Sequence, residues 1–318
     1  MTNVLLTGST GFVGSALLAE LKKFPDFRVV SAVRSAASSA SYDVVVVGSI
    51  DGTTDYSSAL NSVDVVVHAA ARAHIMRDEV ADPLAEYRKV NVDGTLNLAK
   101  QAVAAGVKRF VYISSIKVNG ESTTRLRVFT ETDTAKPEDP YGASKHEAEE
   151  GLRLLAQKTG LEVVIIRPPL VYGAGVKANF LSLVKLSATG LPLPFGFVNN
   201  KRSMVYVGNL VDLIVCCINH PAAASQTFLV SDGEDVSLRN LVTYIRLCLG
   251  RPPRLLPVPV GLFNLAGALT GKQRVVDRLV GDLQVDSSKA RSLLGWVPPF
   301  TVEQGIAATV ADFMSKEQ

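Results

Sequence analysis

Cysteine and histidine are scarce in this chain, with three cysteines and four histidines in 318 residues. Cys216, Cys217 and Cys248 are odd in number, lie in apolar helical patterns and form no CxxC or Cys/His spacing. That argues against a disulfide framework and a metal site, and the three read as ordinary buried thiols in a reducing compartment. Long apolar runs are also missing. The most apolar stretches, Val44–Val47 and Val63–Val67, have strand length, well short of the roughly eighteen residues that a membrane span needs. Met1-Thr2-Asn3 leads straight into an apolar strand, without a basic start, a long apolar region and a cleavage site. A cytoplasmic protein without membrane insertion is therefore expected. Basic clusters are absent too: the net charge is only +3 and the surplus is scattered, so no nucleic-acid partner is expected.

What the chain does have is apolar material, at 47% hydrophobic against 20% charged residues, enough for a large core. Short β-branched runs recur at Val4–Thr7, Val29–Val33, Val44–Val47, Val63–His68, Phe110–Ser114 and Val163–Arg167. Helical spacing fills Val13–Lys23, Pro83–Ala105 and Pro140–Thr159. Strands apolar on both faces, alternating with helices, predict an α/β fold with a doubly wound parallel sheet, Rossmann-like. After Gly173 glycine and proline become frequent and the rhythm breaks. Residues 1–172 are thus expected to form a dinucleotide-binding domain and 173–318 a smaller substrate-binding portion. Residues 208–231 return to the main sheet through a helix at Asn209–His220 and a strand at Thr227–Val230.

The first strand is followed at once by Gly8-Ser9-Thr10-Gly11-Phe12-Val13-Gly14, which opens a helix. Glycines at this spacing allow a tight turn and let backbone approach a pyrophosphate at the helix N-terminus. Arg34 stands at the end of the second strand, twenty residues after Gly14. An acidic residue there suits the ribose of NAD; arginine suits the 2′-phosphate of NADP, so NADP(H) is the preferred cofactor with NAD(H) as the alternative.

Tyr141-Gly142-Ala143-Ser144-Lys145 begins a helix behind Pro140, and i, i+4 spacing puts the phenol and the ammonium on one face. A cation about 4 Å away at an effective dielectric near 20 interacts by roughly 4 kcal/mol. That would lower a phenol pKa by about three units, into acid–base range. Ser114-Ser115 ends the strand that precedes this helix, at the carboxyl edge where such sheets bind ligands.

With these residues the chain resembles the extended short-chain dehydrogenase/reductase family, the group of nucleotide-sugar epimerases, dehydratases and reductases. The resemblance runs from Val4 to about Phe300. It includes the glycine loop, His68-Ala69-Ala70-Ala71, Asn91-Val92-Asp93-Gly94-Thr95, Ser114-Ser115, Tyr141/Lys145, Arg167-Pro168, Tyr172-Gly173 and Arg202 before Val205-Tyr206-Val207. It implies Ser115, Tyr141 and Lys145 as the catalytic triad, although Asn119 stands where the family's Ser-x-x-Val-Tyr-Gly pattern has tyrosine. For the cofactor it implies Gly8, Gly11, Phe12, Val13, Arg34, Ile50, Ala69, Ala70, Ala71, Tyr141, Lys145 and Pro168. For a UDP-sugar substrate it implies Ser115, Lys117, Asn179, Arg202 and Arg278. A homodimer through the helices at Pro83–Ala105 and Pro140–Thr159 is also implied.

Dehydratases of the group carry Asp-Glu where this chain has Ile116-Lys117, and an isoleucine cannot move a proton. With Arg34 pointing to NADPH, the resemblance implies first a reductase of the C4 ketone of a UDP-linked 4-keto-6-deoxy-hexosamine, serving surface-polysaccharide precursors. An NAD-dependent UDP-sugar 4-epimerase is the alternative, and a noncatalytic NADP-binding sensor or scaffold a distant third.

Overall fold

The computed structural model describes residues 1–35, 43–73, 82–124 and 127–317. The chain enters through β1 (Thr2–Thr7), α1 (Phe12–Leu21), β2 (Phe27–Val33), β3 (Asp43–Val46) and β4 (Val65–His68). It continues as α2 (Pro83–Arg88), a π-helical turn at Lys89–Gly94, α3 (Thr95–Ala104), β5 (Arg109–Ile113), α4 (Pro140–Thr159), β6 (Glu162–Arg167) and β7 (Leu170–Tyr172). Then come α5 (Ala178–Ala188), β8 (Arg202–Tyr206), α6 (Val207–Asn219), β9 (Thr227–Leu229) and β10 (Asp235–Val236). Five helices close the chain: α7 (Leu238–Cys248), α8 (Val260–Thr270), α9 (Gln273–Val280), α10 (Ser288–Leu294) and α11 (Val302–Glu317).

Seven strands form one sheet in the order β3-β2-β1-β4-β5-β6-β9, every pair parallel. Parallel neighbours need crossovers, and the helices that supply them cover both faces. Along β1, Val4 and Leu6 point into a layer with α1 and α6, while Leu5 points into the opposite layer with α3 and α4. This two-residue period is what a strand buried on both faces requires. The order reverses between β1 and β4, which leaves a crevice at their carboxyl ends, the place where doubly wound sheets bind ligands. A second sheet, β10-β8-β7, packs against α5, α7 and α11 through Tyr172, Phe180, Met204, Ile245 and Ile306. Among the described residues no helix is long and apolar enough to cross a membrane.

Two expectations need correction. The helix expected over Pro83–Ala105 is broken into α2, the π turn and α3. The π turn carries Asn91, whose side chain accepts from Arg72 N (2.8 Å) and donates to Arg72 O (3.1 Å) and Ser144 Oγ (3.0 Å). It also carries Gly94, where a Cβ would stand 2.6 Å from Ile50 Cγ2. Widening the helix by one residue admits these long-range contacts. The cysteines also differ from expectation, since Cys217 alone is buried while Cys216 is half-buried and Cys248 exposed. In α7 the buried residues are Leu238, Leu241, Val242, Ile245 and Arg246, and Cys248 is the last residue of the helix, exposed at its end.

Arg109 ties the sheet to α6. Its guanidinium donates to the carbonyls of Cys217, Ile218 and His220 at 2.8–3.0 Å and pairs with Glu162 at 2.6 Å. Those carbonyls end α6, where no intrahelical donor remains. Arg109→Ala should destabilise the protein by at least about 2 kcal/mol in urea denaturation, because buried carbonyls lose a charged donor. A loss within ±0.5 kcal/mol would show that water satisfies the helix end.

Candidate active site

The turn from β1 into α1 is tight: Gly11 N donates to Gly8 O at 2.9 Å, and Gly8 has φ +77°. A Cβ on Gly8 would stand 2.6 Å from Ala70 N and 2.8 Å from Ala69 C; on Gly14 it would stand 2.0 Å from Gly8 O. Side chains at these positions would collide with backbone, so glycine is what lets the loop close over the start of α1, where the N-cap Gly11 provides no side-chain cap. Within this cradle Ser9 Oγ is buried without a hydrogen-bond partner. Open N–H groups, a buried hydroxyl lacking a partner and a loop closed by Gly8 against Ala69-Ala70 and by Gly14 against Gly8 fit a dinucleotide pyrophosphate. Phe12 and Val13, half-buried, begin α1, and Phe12 Cδ2 lies 4.0 Å from where a Cβ of Gly175 would be. Arg34 follows β2 and is exposed; Ile50 follows β3 and is half-buried.

The end of β4 is held by His68. Its Nδ1 lies 2.7 Å from Thr7 Oγ1 and its Nε2 3.0 Å from Thr95 Oγ1. Burial first, then the Lys145 cation, pushes its pKa down to about 3, so the imidazole is neutral at ordinary pH. Ala69, Ala70 and Ala71 extend from it along the glycine loop, half-buried.

Ser115 begins a 3-10 turn over Ile116–Val118, where its Oγ accepts from Lys117 N at 3.2 Å. Ile116 N donates to the carbonyl of the buried Pro168 at 3.0 Å, joining this turn to the end of β6. Gly142 brings α4 against the same turn, since a Cβ there would stand 2.7 Å from Lys117 O. Asp139 caps α4, its Oδ1 accepting from Gly142 N at 2.7 Å. Ser115, Pro168 and the start of α4 with Tyr141 therefore meet at one end of the sheet.

Lys145 is 1% exposed; its Nζ donates to Ile113 O at 2.7 Å and lies 4.4 Å from the Tyr112 ring centroid. Burial pushes its pKa down to about 7 although Glu149 pulls the other way. Tyr141 packs edge-on to Tyr87 at 6.0 Å. Burial, then Asp139 and Tyr87, push its phenol pKa up. The lowering expected from i, i+4 spacing is therefore not realised. The Lys145 ammonium is committed to a carbonyl and an aromatic face, and the nearby carboxylate disfavours phenolate.

The substrate-side residues come from four elements, the Ile116–Val118 turn, α5, β8 and α9. Lys117 pairs with Glu121 at 2.8 Å and with Asp139. The exposed Arg278, on α9, pairs with Glu121 at 3.0 Å. Burial works against ionisation of Glu121, but Lys117 and Arg278 outweigh it and hold its pKa down at about 2. Arg202 begins β8, donates to Gly281 O at 3.2 Å and feels the charges of Asp282, Arg278 and Glu121. Asn179 is exposed in the first turn of α5.

Sequence reasoning missed Glu121 and Asp139, and it missed Glu149, which lies four residues beyond Lys145 on the same stripe. Buried Glu149 accepts from Ser114 Oγ at 2.5 Å and from Arg167 Nε at 2.9 Å. Arg167 also donates to Asn119 Oδ1 at 2.9 Å, so asparagine at the departure from the family pattern is part of this cluster. The i, i+4, i+8 spacing was the available signal.

Residues 4–231 match the NAD dependent epimerase/dehydratase family. A UDP-glucose 4-epimerase of Vibrio cholerae is 53% identical over 98% of this chain and 95% of its own. The N-acetyl-alpha-D-glucosaminyl-diphospho-ditrans,octacis-undecaprenol 4-epimerase of Escherichia coli O157:H7 is 32% identical over 97% of this chain and 94% of its own. In fold, the chain superposes on UDP-glucuronic acid 4-epimerase from Bacillus cereus, solved in complex with NAD, with a TM-score of 0.79. The two are 20% identical, and the match covers all of both chains.

The depressed Lys145 sets a pH dependence of stability. Between about 7 and the ordinary lysine value the unfolded chain holds a proton that the folded one has lost, so this group makes stability rise with pH. Lys145→Met should remove that rise. The urea-derived difference between wild type and variant should grow from pH 7 to 9 by up to about 1 kcal/mol per pH unit. A difference independent of pH would mean that Lys145 keeps its proton throughout.

Proposed function

The chain belongs to the NAD dependent epimerase/dehydratase family, and from that membership we propose that it is an NAD-dependent 4-epimerase of a UDP-linked sugar. The observation that carries this reading is the near-full-length identity to a UDP-glucose 4-epimerase. Sequence motifs alone rank the C4-ketone reductase first; the relatives favour the epimerase, and the triad is common to both chemistries.

A bound nicotinamide supplies a hydride acceptor that can return the same hydride. In this reading the loop from Gly8 to Gly14 takes the pyrophosphate on backbone N–H groups, and Ile50, Ala69, Ala70, Ala71 and Pro168 line the dinucleotide. Tyr141 takes the proton of the sugar C4 hydroxyl and gives it back, a role that requires bound cofactor and substrate to lower the phenol pKa that burial and Asp139 hold up. Ser115 orients that oxygen, and Lys145 holds the nicotinamide ribose. Asn179, Arg202 and Arg278 receive the diphosphate, with Arg278 exchanging Glu121 for phosphate oxygens; the fork of arginine matches that geometry. Lys117, already held between two carboxylates, orders the turn that carries Ser115. Arg34 lies beside the adenosine ribose. NADP preference rests on that residue alone, so the nucleotide released from purified protein distinguishes the cofactors.

Protein incubated with UDP-glucose and no added cofactor should form UDP-galactose, followed by NMR, with no net change at the NADPH absorbance band. Tyr141→Phe should lower the rate by about 10²–10⁴ while the protein stays folded. Stoichiometric NADPH oxidation with a UDP-4-keto-6-deoxy-hexosamine, without UDP-glucose turnover, would restore the reductase. Separately, Arg202→Ala should weaken UDP binding by about 1.5–3 kcal/mol in calorimetry and leave dinucleotide binding unchanged. Parallel losses of both ligands would make Arg202 a structural residue.

A further inference from the structure

Alone among the α-helices of the described residues, α8 carries no charged side chain. Its inner side is anchored. Phe263 stacks on Phe195 with ring centroids 6.1 Å apart. Gly267 lets α9 close in, since a Cβ there would stand 2.8 Å from Gln273 Oε1 and 2.9 Å from Val276 Cγ2. Its outer side is bare: Leu262, Leu265 and Leu269 are 54%, 56% and 79% exposed. At 100° per residue these positions fall within a stripe roughly 60° wide, so the leucines form one apolar ridge.

In sequence, cations stand on both sides of this ridge. Arg251 and Arg254 precede α8, Lys272 and Arg274 follow it, and all four are exposed. Among the described residues none of them pairs with a carboxylate. Between residues 251 and 280 the sole carboxylate is Asp277, which accepts a hydrogen bond from Gln273. An exposed apolar ridge of this kind marks an interaction site. A second copy of the chain would bring four more unpaired cations into one interface with only Asp277 of each copy between residues 251 and 280 to offset them. An anionic lipid surface satisfies both features at once, apolar below the headgroups and negative at them.

We propose that α8 docks this protein onto the surface of an anionic phospholipid bilayer. The leucine ridge enters the acyl boundary, while Arg251, Arg254, Lys272 and Arg274 meet headgroup phosphates. The attachment is peripheral: eleven residues span only about 16 Å of helix, half the hydrocarbon thickness. This inference goes beyond the sugar-nucleotide reading and does not depend on it.

The experiment is co-sedimentation of the full-length protein with vesicles of mixed phosphatidylglycerol and phosphatidylcholine, and with phosphatidylcholine alone. The wild type should sediment with the anionic vesicles. Binding should be at least about tenfold weaker to uncharged vesicles or in about 0.5 M NaCl. The variant L262S/L265S/L269S should lose binding by about tenfold or more while keeping its turnover in solution. A second variant, K272E/R274E, tests the charges without touching the apolar ridge and should also release the protein. No sedimentation with anionic vesicles, equal binding to uncharged ones, or unchanged binding of K272E/R274E would overturn the proposal. So would conversion of a dimer to a monomer by the leucine variant in sedimentation equilibrium, which would assign the ridge to a second copy.

Discussion

The carboxyl edge of the sheet depends on one carboxylate that solvent does not reach. Tyr141, Lys145 and Glu149 are spaced by four on α4, so they share one stripe, and whatever fixes Glu149 fixes the rotation of the other two. Glu149 is fixed from three sides, by Ser114 at the end of β5, by Arg167 at the end of β6 and by Arg153 on its own helix. Arg167 reaches on to Asn119 in the segment just after the Ser115 turn. Desolvating such a pair costs several kcal/mol per ion, so it is held only while every lone pair and N–H is satisfied. Burial opposes ionisation of Glu149, yet the Arg167 bonds, with Ser114 and Arg153, keep its pKa below the ordinary carboxylate value. One satisfied cluster thus locks the helix that carries Tyr141 to the strand that leads to Ser115.

This dependence marks what was legible in the sequence. The six strands of the first half and the glycine loop follow from β-branched runs and local turn chemistry, both properties of neighbouring residues. Asp139 and Pro140 open α4 at the expected place for the same reason, one capping and the other needing no N–H. The break in the helix after Pro83 was not legible, because its cause is Asn91 reaching Arg72 and Ser144, nineteen and fifty-three positions away. Glu149 was legible as a spacing but not as a buried ion, since its partners come from β5 and β6. Reaction class was the least legible feature. Arg34 weighed on a cofactor choice that one exposed cation does not decide.

Lys145 shows why spacing is a poor guide to acidity. On α4 it lies one turn from Tyr141, and an isolated pair at that distance would favour phenolate. In the fold the ammonium is drawn to the Ile113 carbonyl and the Tyr112 face, while Tyr141 packs edge-on to Tyr87 and feels the Asp139 carboxylate. Burial then lowers the lysine and raises the phenol, so both shift towards their neutral forms. Glu149 cannot hold Lys145 fully charged because its oxygens are already shared with Arg167 and Arg153.

The same accounting separates the cations on the substrate side. Lys117 lies between Glu121 and Asp139, and Arg278 against Glu121, so each already has a carboxylate partner. Arg202 does not: among the described residues its guanidinium has a backbone carbonyl and no carboxylate within ion-pair distance, and burial lowers its pKa. An incompletely paired, desolvated guanidinium is the most costly of the three to maintain and gains most from an arriving anion. Asp282 and Glu121 moderate that charge from a distance without forming the bidentate pair that would neutralise it. A diphosphate bound here therefore replaces weak, distant compensation with direct contact. That difference makes Arg202, rather than the better-paired Lys117 or Arg278, the residue on which the proposed nucleotide recognition turns.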